Sequence, residues 1–302
     1  MVYNRDIRNR KLIVAYLLRR VKFRLSPLLP RSIVVYPPIL STPPRTIGMI
    51  TRLANRLVAT LFIAFVFATS AVFFLVALCI WLVTYFLDPK LWLLHRFTCF
   101  WASLYIWIFP PWQVTVNGRE KIDQNKTYVI VSNHQSLVDI LVAFTLFTHF
   151  KWVSKDEIFR IPLIGWNMAL NQYVRLKRGR KTSVKKMYSA CGKHLKRGSS
   201  VYLFPEGTRS QNGKLRAFKE GAFILAKRQR VAILPIVING SKHAVPKNSF
   251  NFHGRSDVQV QILDEIPVES YDETTVSELT QKVREMIKSR VVEEQTGEAE
   301  TH

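Results

Sequence analysis

Hydrophobic and polar positions change their rhythm twice along the chain. From Leu57 to Leu87 no charged residue occurs over 31 positions. A helix needs only about 20 apolar residues to cross the hydrocarbon core of a bilayer, so this run is long enough to span one. It begins too far from the N-terminus for a cleaved signal peptide, and it predicts a membrane anchor. A second apolar stretch, Phe97–Trp112, is shorter and crowded with Phe, Tyr and Trp. Such side chains favour the headgroup level, which predicts a helix lying in the interface or entering one leaflet. After Gln113 short β-rich runs alternate with helical periodicity. Strands are predicted at 114–116, 127–132, 200–204, 231–238 and 258–263, and helices at 136–149, 182–197, 218–229 and 274–291. In the last of these Val276, Leu279, Val283, Met286 and Ile287 recur at helical spacing and mark a packed face. Strands alternating with helices predict an α/β domain, a mostly parallel or mixed sheet flanked by helices.

These textures divide the chain into a basic arm with a proline-rich linker (1–56), membrane-anchoring helices (57–112), a catalytic domain (113–292) and a disordered acidic tail (293–302). The arm carries 12 Lys/Arg against the single acid Asp6, and the whole chain has a net charge of +23. Such a balance implies an acidic partner: nucleic acid, an anionic membrane surface or a phosphorylated substrate. Basic segments tend to stay cytoplasmic, and both the arm and the chain after Trp112 are basic. A hairpin-like or monotopic arrangement with both ends cytoplasmic satisfies this better than one clean crossing. Three cysteines, odd in number, exclude a disulfide-built secreted scaffold.

Phosphate-binding glycine loops, a G-x-S-x-G elbow and metal-ligand spacings are all absent. What stands out is VSNHQSLVD at 131–139, directly after a predicted strand. Open α/β sheets place ligands where a strand's carboxyl end feeds a helix. Ser136 is an N-cap candidate, and Asp139 three residues on can close a capping box. His134 and Asp139 are five residues apart, so they can meet only if His134 precedes the helix and folds back. Asp139 would then fix the tautomer of the imidazole. Without that fold-back it simply holds the helix start. A second stretch, YLFPEGTRS at 202–210, ends a predicted strand in a Pro205–Gly207 turn. It is either a turn with a solvated ion pair or an anion site centred on Arg209. Between them lies the basic YVRLKRGRK at 173–181, by itself a surface for anionic lipid. Last comes ILPIVI at 233–238, a buried strand interrupted by Pro235.

In this order the four blocks resemble the glycerolipid acyltransferase family, nearest to its bacterial 1-acyl-sn-glycerol-3-phosphate (lysophosphatidate) acyltransferases. The resemblance covers roughly 125–240 and includes FKEGAFILAK at 218–227. It implies a glycerol-3-phosphate acyltransferase-like α/β fold with N-terminal membrane-associated helices. It also implies transfer of a fatty acyl group from a thioester, on coenzyme A or acyl carrier protein, to the sn-2 hydroxyl of lysophosphatidate. The family's second block usually reads G-x-I-F-I-x-R, whereas this chain has NQYVRLKR, which leaves Arg178 or Arg175 for its basic role. The resemblance implies His134 as general base, oriented by Asp139, with Arg209 and Arg178 holding phosphate and Glu206, Gly207 and Thr208 shaping that pocket. Asn133, Ser136, Arg175, Lys177, Pro205 and Pro235 would support them. A thioester is already activated, so one imidazole is a sufficient base and no covalent nucleophile, metal or cofactor is expected. Expected partners are membrane lipids, lysophosphatidate and acyl-CoA or acyl carrier protein, not nucleic acid. The expected location is the cytoplasmic (inner) membrane with the catalytic domain facing the cytoplasm. The alternatives are the same chemistry on another lysophospholipid or lipid acceptor, and a non-enzymatic tether that binds anionic lipid.

Overall fold

The computed structural model describes residues 49–109, 111–210, 213–244 and 256–292, all within one unit running from Gly48 to His302. Of the basic arm and proline linker expected at 1–56, residues 1–48 lie outside the described residues, as does the tail expected at 293–302, whereas residues 49–56 are the first turns of a helix and not linker.

Most of the charge-free run lies in α1 (Met49–Thr84), which starts eight residues earlier and takes in Arg52 and Arg56, and most of the aromatic stretch lies in α2 (Trp92–Ile108). Within α1, Arg56–Thr84 is a 29-residue segment long and apolar enough to cross a membrane. At 1.5 Å per residue it reaches about 44 Å, more than the roughly 30 Å of a hydrocarbon core. Leu57, Leu61, Phe67, Val72, Leu75 and Leu82 on it are exposed. The two helices form an antiparallel hairpin: Phe65 meets Tyr105, and farther along Phe73 meets Phe97 and Trp101. Within the hairpin the Tyr105 hydroxyl lies 3.0 Å from Thr69 Oγ1 and 3.2 Å from Ser70 Oγ. The inner face of α2 is not left for lipid, because Cys99, Ala102 and Ile106 join the main hydrophobic core. Packing is therefore continuous across residue 112.

Among the described residues seven strands make one sheet: β1 (Trp112–Asn117), β2 (Tyr128–Ser132), β3 (Phe150–Lys155), β4 (Val174–Leu176), β5 (Ser200–Leu203), β6 (Ala232–Asn239) and β7 (Ser256–Ile262). Their spatial order is β1-β7-β6-β2-β5-β3-β4; β6 and β7 pair antiparallel, and the other five neighbouring pairs of these seven strands are parallel. Alternation along the strands sends residues to opposite faces. Tyr128 and Ile130 enter a core shared with α2 and with α3 (Val138–Phe144). Val129 and Val131 enter a second core under α5 (Lys181–Lys196), α6 (Gly221–Gln229) and α7 (Val276–Lys288). α7 begins with a capping box between Thr275 and Glu278. Pro235 is tolerated inside β6 because its carbonyl points to β7, accepting from Leu263 N, so its missing donor faces the end of that ladder rather than β2.

Two strands and one short helix differ from the expectation. The helix predicted over 136–149 stops at Phe144, since the Arg119 guanidinium donates to the carbonyls of Thr145 and Leu146 and Phe147 adopts a left-handed φ of 54°. The chain then enters β3, and α4 (Ile164–Leu170) and the three-residue β4 follow before α5. α4 packs on the hairpin through Trp166 against Phe74.

Candidate active site

The site forms where the central strands end. Beyond the last residue of β2, Asn133 imitates one more backbone unit. Its Nδ2 donates to Ile238 O at 2.7 Å, and Ile238 N donates to its Oδ1 at 2.8 Å. Both bonds are buried, so β2 is fastened to β6 one residue past its ladder. The chain then turns, and Asp139, on the first turn of α3 and fully buried, gathers the turn around one oxygen. Asp139 Oδ2 accepts from Gln135 N at 2.7 Å, from Ser136 N at 2.8 Å and from His134 Nδ1 at 2.8 Å. Asp139 therefore makes its half of the anticipated capping box, while Ser136 Oγ accepts from Val138 N at 3.4 Å instead of from Asp139 N. The fold-back needed to join His134 to Asp139 is the shape of this turn.

A carboxylate only accepts, so the imidazole presents its N–H at Nδ1 and keeps its lone pair on Nε2. His134 lines a cavity of about 640 Å³. Its ring stacks on Phe204 with centroids 3.9 Å apart and planes at 12°. Phe204 begins the second motif, in which Gly207 N donates to Phe204 O with Pro205 at the second turn position. Gly207 has φ +70°, where a side chain would be strained. The two motifs are sewn together by backbone bonds. His134 N donates to Glu206 Oε1 at 2.7 Å, and Ser210 N donates to His134 O at 2.8 Å. The second Glu206 oxygen accepts from Arg216 N at 3.0 Å. Burial pushes the Glu206 carboxyl up to about 7, although its two N–H donors pull the other way.

Of the residues singled out in the sequence, His134, Arg178, Pro205, Gly207, Thr208 and Arg209 all line this one cavity. Asp139, Asn133 and Ser136 stand behind His134. Glu206 does not line the cavity: it is buried and holds backbone, because neither oxygen is left over from the two N–H groups it bridges. Arg175 is not at the cavity either. Its guanidinium lies over the Phe159 ring at 4.5 Å and 4.0 Å from Asp156. Lys177 is also outside the lining, its backbone N donating to Ser183 Oγ. Pro235 is buried in β6. Sequence reasoning passed over Lys219, which lines the cavity beside Gly207, although it lies in the FKEGAFILAK stretch. It also passed over the platform role of Phe204 and the pairing of Asn133 with a strand 105 residues away. Away from the basic residues the cavity is apolar, walled by Ala102, Phe144 and Trp152, and it reaches Trp101, Tyr105 and Ser70 of the hairpin. Among the described residues no three His, Cys, Asp or Glu side chains converge as a metal site. Cys191 Sγ contacts Met187 Sδ at 3.7 Å in the second core.

The Acyltransferase family model matches residues 113–239. A chloroplast 1-acyl-sn-glycerol-3-phosphate acyltransferase of Arabidopsis thaliana is 40% identical over 177 residues, 58% of this chain and 49% of the relative. A 1-acyl-sn-glycerol-3-phosphate acyltransferase of Saccharomyces cerevisiae is 31% identical over 179 residues, 58% of each chain. The chain thus spans about half the length of the plant relative. The crystal structure of a 1-acyl-sn-glycerophosphate acyltransferase, PlsC, from Thermotoga maritima superposes with a TM-score of 0.63 at 24% identity, covering 78% of this chain and 96% of the other, and shows a shared fold.

Proposed function

We propose that this chain is an acyltransferase that moves a fatty acyl group from a coenzyme A or acyl carrier protein thioester to the sn-2 hydroxyl of lysophosphatidate, giving phosphatidate and a free thiol. The observation that carries the reading is the His134–Asp139 contact of 2.8 Å, which leaves Nε2 as the free ring nitrogen in a cavity that also holds Arg178 and Arg209. His134 Nε2 takes the hydroxyl proton as the oxygen attacks the thioester carbonyl. The tetrahedral intermediate collapses, the C–S bond breaks, and the imidazolium returns the proton to the departing sulfur. Asp139 stabilises the imidazolium while it exists, as the acid does in a catalytic triad. Arg178 and Arg209 hold the acceptor phosphate, for which a guanidinium fork is suited. The apolar wall reaching the hairpin takes acyl chain.

A lysolipid keeps its chain in the bilayer, so the site has to open at the membrane surface. Ile161, Ile164 and Trp166 are exposed apolar residues around α4, beside α1, and Leu137 is exposed next to the His134 turn. Together with α1 they support a cytoplasmic-membrane location with the domain on the cytoplasmic side, where basic residues attract anionic lipid.

The test is acyl transfer by the full chain in vesicles with lysophosphatidate and a panel of other lysolipids. Wild type should prefer lysophosphatidate, and His134→Ala should lose at least about 10²-fold in turnover while vesicle binding persists. Preference for another lysolipid would move the acceptor but keep the chemistry. Equal turnover by wild type and His134→Ala would end the proposal.

A further inference from the structure

The helix that walls the cavity has an outer face that the proposed reaction does not use. α5 contributes Val184, Met187 and Tyr188 to the cavity lining and Met187, Cys191 and Leu195 to the second core. Its outward positions are Lys181, Lys185, Lys186, Lys193 and Lys196, followed directly by Arg197, and all six are exposed. At about 100° per residue these six fall within one arc of roughly 160°; of the buried positions on the helix, Gly192, which carries no side chain, lies inside that arc, and Met187, Cys191, His194 and Leu195 lie outside it. None of them is in an ion pair among the described residues. From Tyr173 to Pro205 the chain has ten Lys/Arg and no acid, so neutralising charge is not supplied locally.

Three occupants could answer such a face, and the placement of α5 separates them. The membrane hairpin packs on the Tyr128–Ile130 side of the sheet, whereas α5 packs on the Val129–Val131 side. The outward face of α5 is therefore turned away from the layer that carries α1, which disfavours the bilayer. From Lys181 to Lys196 the patch runs about 22 Å along the helix, far longer than the phosphates of one nucleotide need. It is also five lysines to one arginine. Ammonium groups act as point charges and suit steering of an extended acidic surface better than forked phosphate recognition.

We propose that the outward face of α5 docks an acidic protein that carries the acyl chain as a thioester on a long flexible arm, the arm entering the cavity past Gly179 and Arg178 at the N-terminal end of the helix. The proposal rests on the acyl-transfer reading above and narrows its donor to acyl carrier protein.

The experiment compares the full-length wild type with Lys185→Glu/Lys186→Glu/Lys193→Glu. One acyl chain is offered on acyl carrier protein, on coenzyme A and on pantetheine alone. With the carrier-protein donor, kcat/KM should fall at least about tenfold, mainly through KM, while the other two donors stay within about twofold. Added salt should weaken carrier-protein use by wild type in the same way. The milder Lys→Ser triple should show a smaller loss in the same direction if charge reversal harms folding. Equal loss on all donors, loss with coenzyme A alone, full retention with the carrier protein, or loss of binding to phosphatidylglycerol vesicles would each overturn the proposal. So would a wild type that uses coenzyme A and ignores the carrier protein. If wild type acylates nothing with any donor, the acyl-transfer reading is what fails. Fluorescence anisotropy of labelled carrier protein then still decides docking: wild-type binding that the triple substitution abolishes supports it, and no binding overturns it.

Discussion

Asp139→Asn isolates the charge of the orienting acid while keeping nearly all of its shape. In the native site one oxygen, Oδ2, takes all three donors, and Oδ1 is buried with no hydrogen-bond partner among the described residues. The amide has one orientation that works: its oxygen in the Oδ2 place, still accepting from Gln135 N, Ser136 N and His134 Nδ1. The opposite orientation would point an NH2 at three N–H groups. His134 therefore keeps its tautomer and loses only the negative charge facing the imidazolium. Two unit charges about 4 Å apart at an effective dielectric near 20 attract by about 4 kcal/mol, and the amide dipole retains part of this. A net loss of about 2–4 kcal/mol in the transition state lowers kcat by about 30- to 1000-fold. The buried amide NH2 also lacks an acceptor and should lower folding stability by about 1–3 kcal/mol. A continuous assay of released thiol, with KM for lysophosphatidate and a melting curve, reads all three quantities. KM should move by less than about threefold. A variant with wild-type kcat, or one whose whole defect lies in KM, would refute the assignment of Asp139 to the reacting proton. Combining it with His134→Ala should cost little beyond His134→Ala alone, because the two act as one unit.

Other changes separate the remaining roles. Glu206→Gln offers one acceptor to two N–H donors, so it should misplace the His134 turn and cut kcat by about tenfold or more. It should also alter the pH dependence of stability. The native Glu206 carboxyl titrates near 7 instead of 4.5, so folding favours its protonated form. Its contribution is full below pH 4.5 and is lost as pH rises to 7; urea melts of Glu206→Gln should lack that decline. Arg209→Ala and Arg178→Ala should each raise KM for lysophosphatidate by about tenfold with kcat less affected, and a reversed split would remove them from phosphate binding. Lys151 is fully buried, donates to Lys90 O at 2.8 Å and Asn171 O at 3.0 Å, and burial lowers its pKa to about 7 from 10.5. The unfolded chain then binds the extra proton between those values, so stability should rise from pH 7 to 10.5. Lys151→Met should flatten that rise in urea titrations, and an unchanged slope would contradict the assignment.

Lys151 also shows why part of the fold was hard to read. The strand FKWVSK alternates charge with aromatics, and a lysine at a buried position hides the apolar run that would mark it. In the sequence the preceding helix pattern therefore runs on through Thr145–His149, where tertiary contacts from Arg119 end the helix. β4 is only three residues, VRL, inside a basic cluster, too short for any periodicity to register. By contrast β2, β5 and β6 are near-continuous apolar runs, as strands covered on both faces must be, and their ends lie within one residue of the sequence expectation. The pairing of His134 with Asp139 was legible because both partners sit on one short turn whose capping chemistry is local. The clamp of Asn133 on Ile238 was not, since it depends on which strand becomes the neighbour of β2. Nor can spacing tell which way a carboxylate faces: FPEGTR suggests a Glu206 turned toward the substrate, whereas its oxygens face the backbone of His134 and Arg216.

That difference between two carboxylates organises the site. Both are buried and both accept backbone N–H groups, but only Asp139 also touches a ring that can exchange a proton. Glu206 gives its two oxygens to the amides of His134 and Arg216, and so fixes the distance between segments 72 and 10 residues away along the chain. With Ser210 bonded to the carbonyl of His134, the same residue is held through its N–H, its C=O and its ring. In the proposed reaction the base would meet a lipid hydroxyl arriving from the bilayer and could not rely on the substrate to order it. The rigid second motif supplies that order and presents Arg209 and Thr208 on its far side. Loosening Glu206 should therefore act on turnover, through the placement of His134, whereas removing Arg209 acts on capture. The two arms of the FPEGTR motif are separable by kinetics although they are three residues apart.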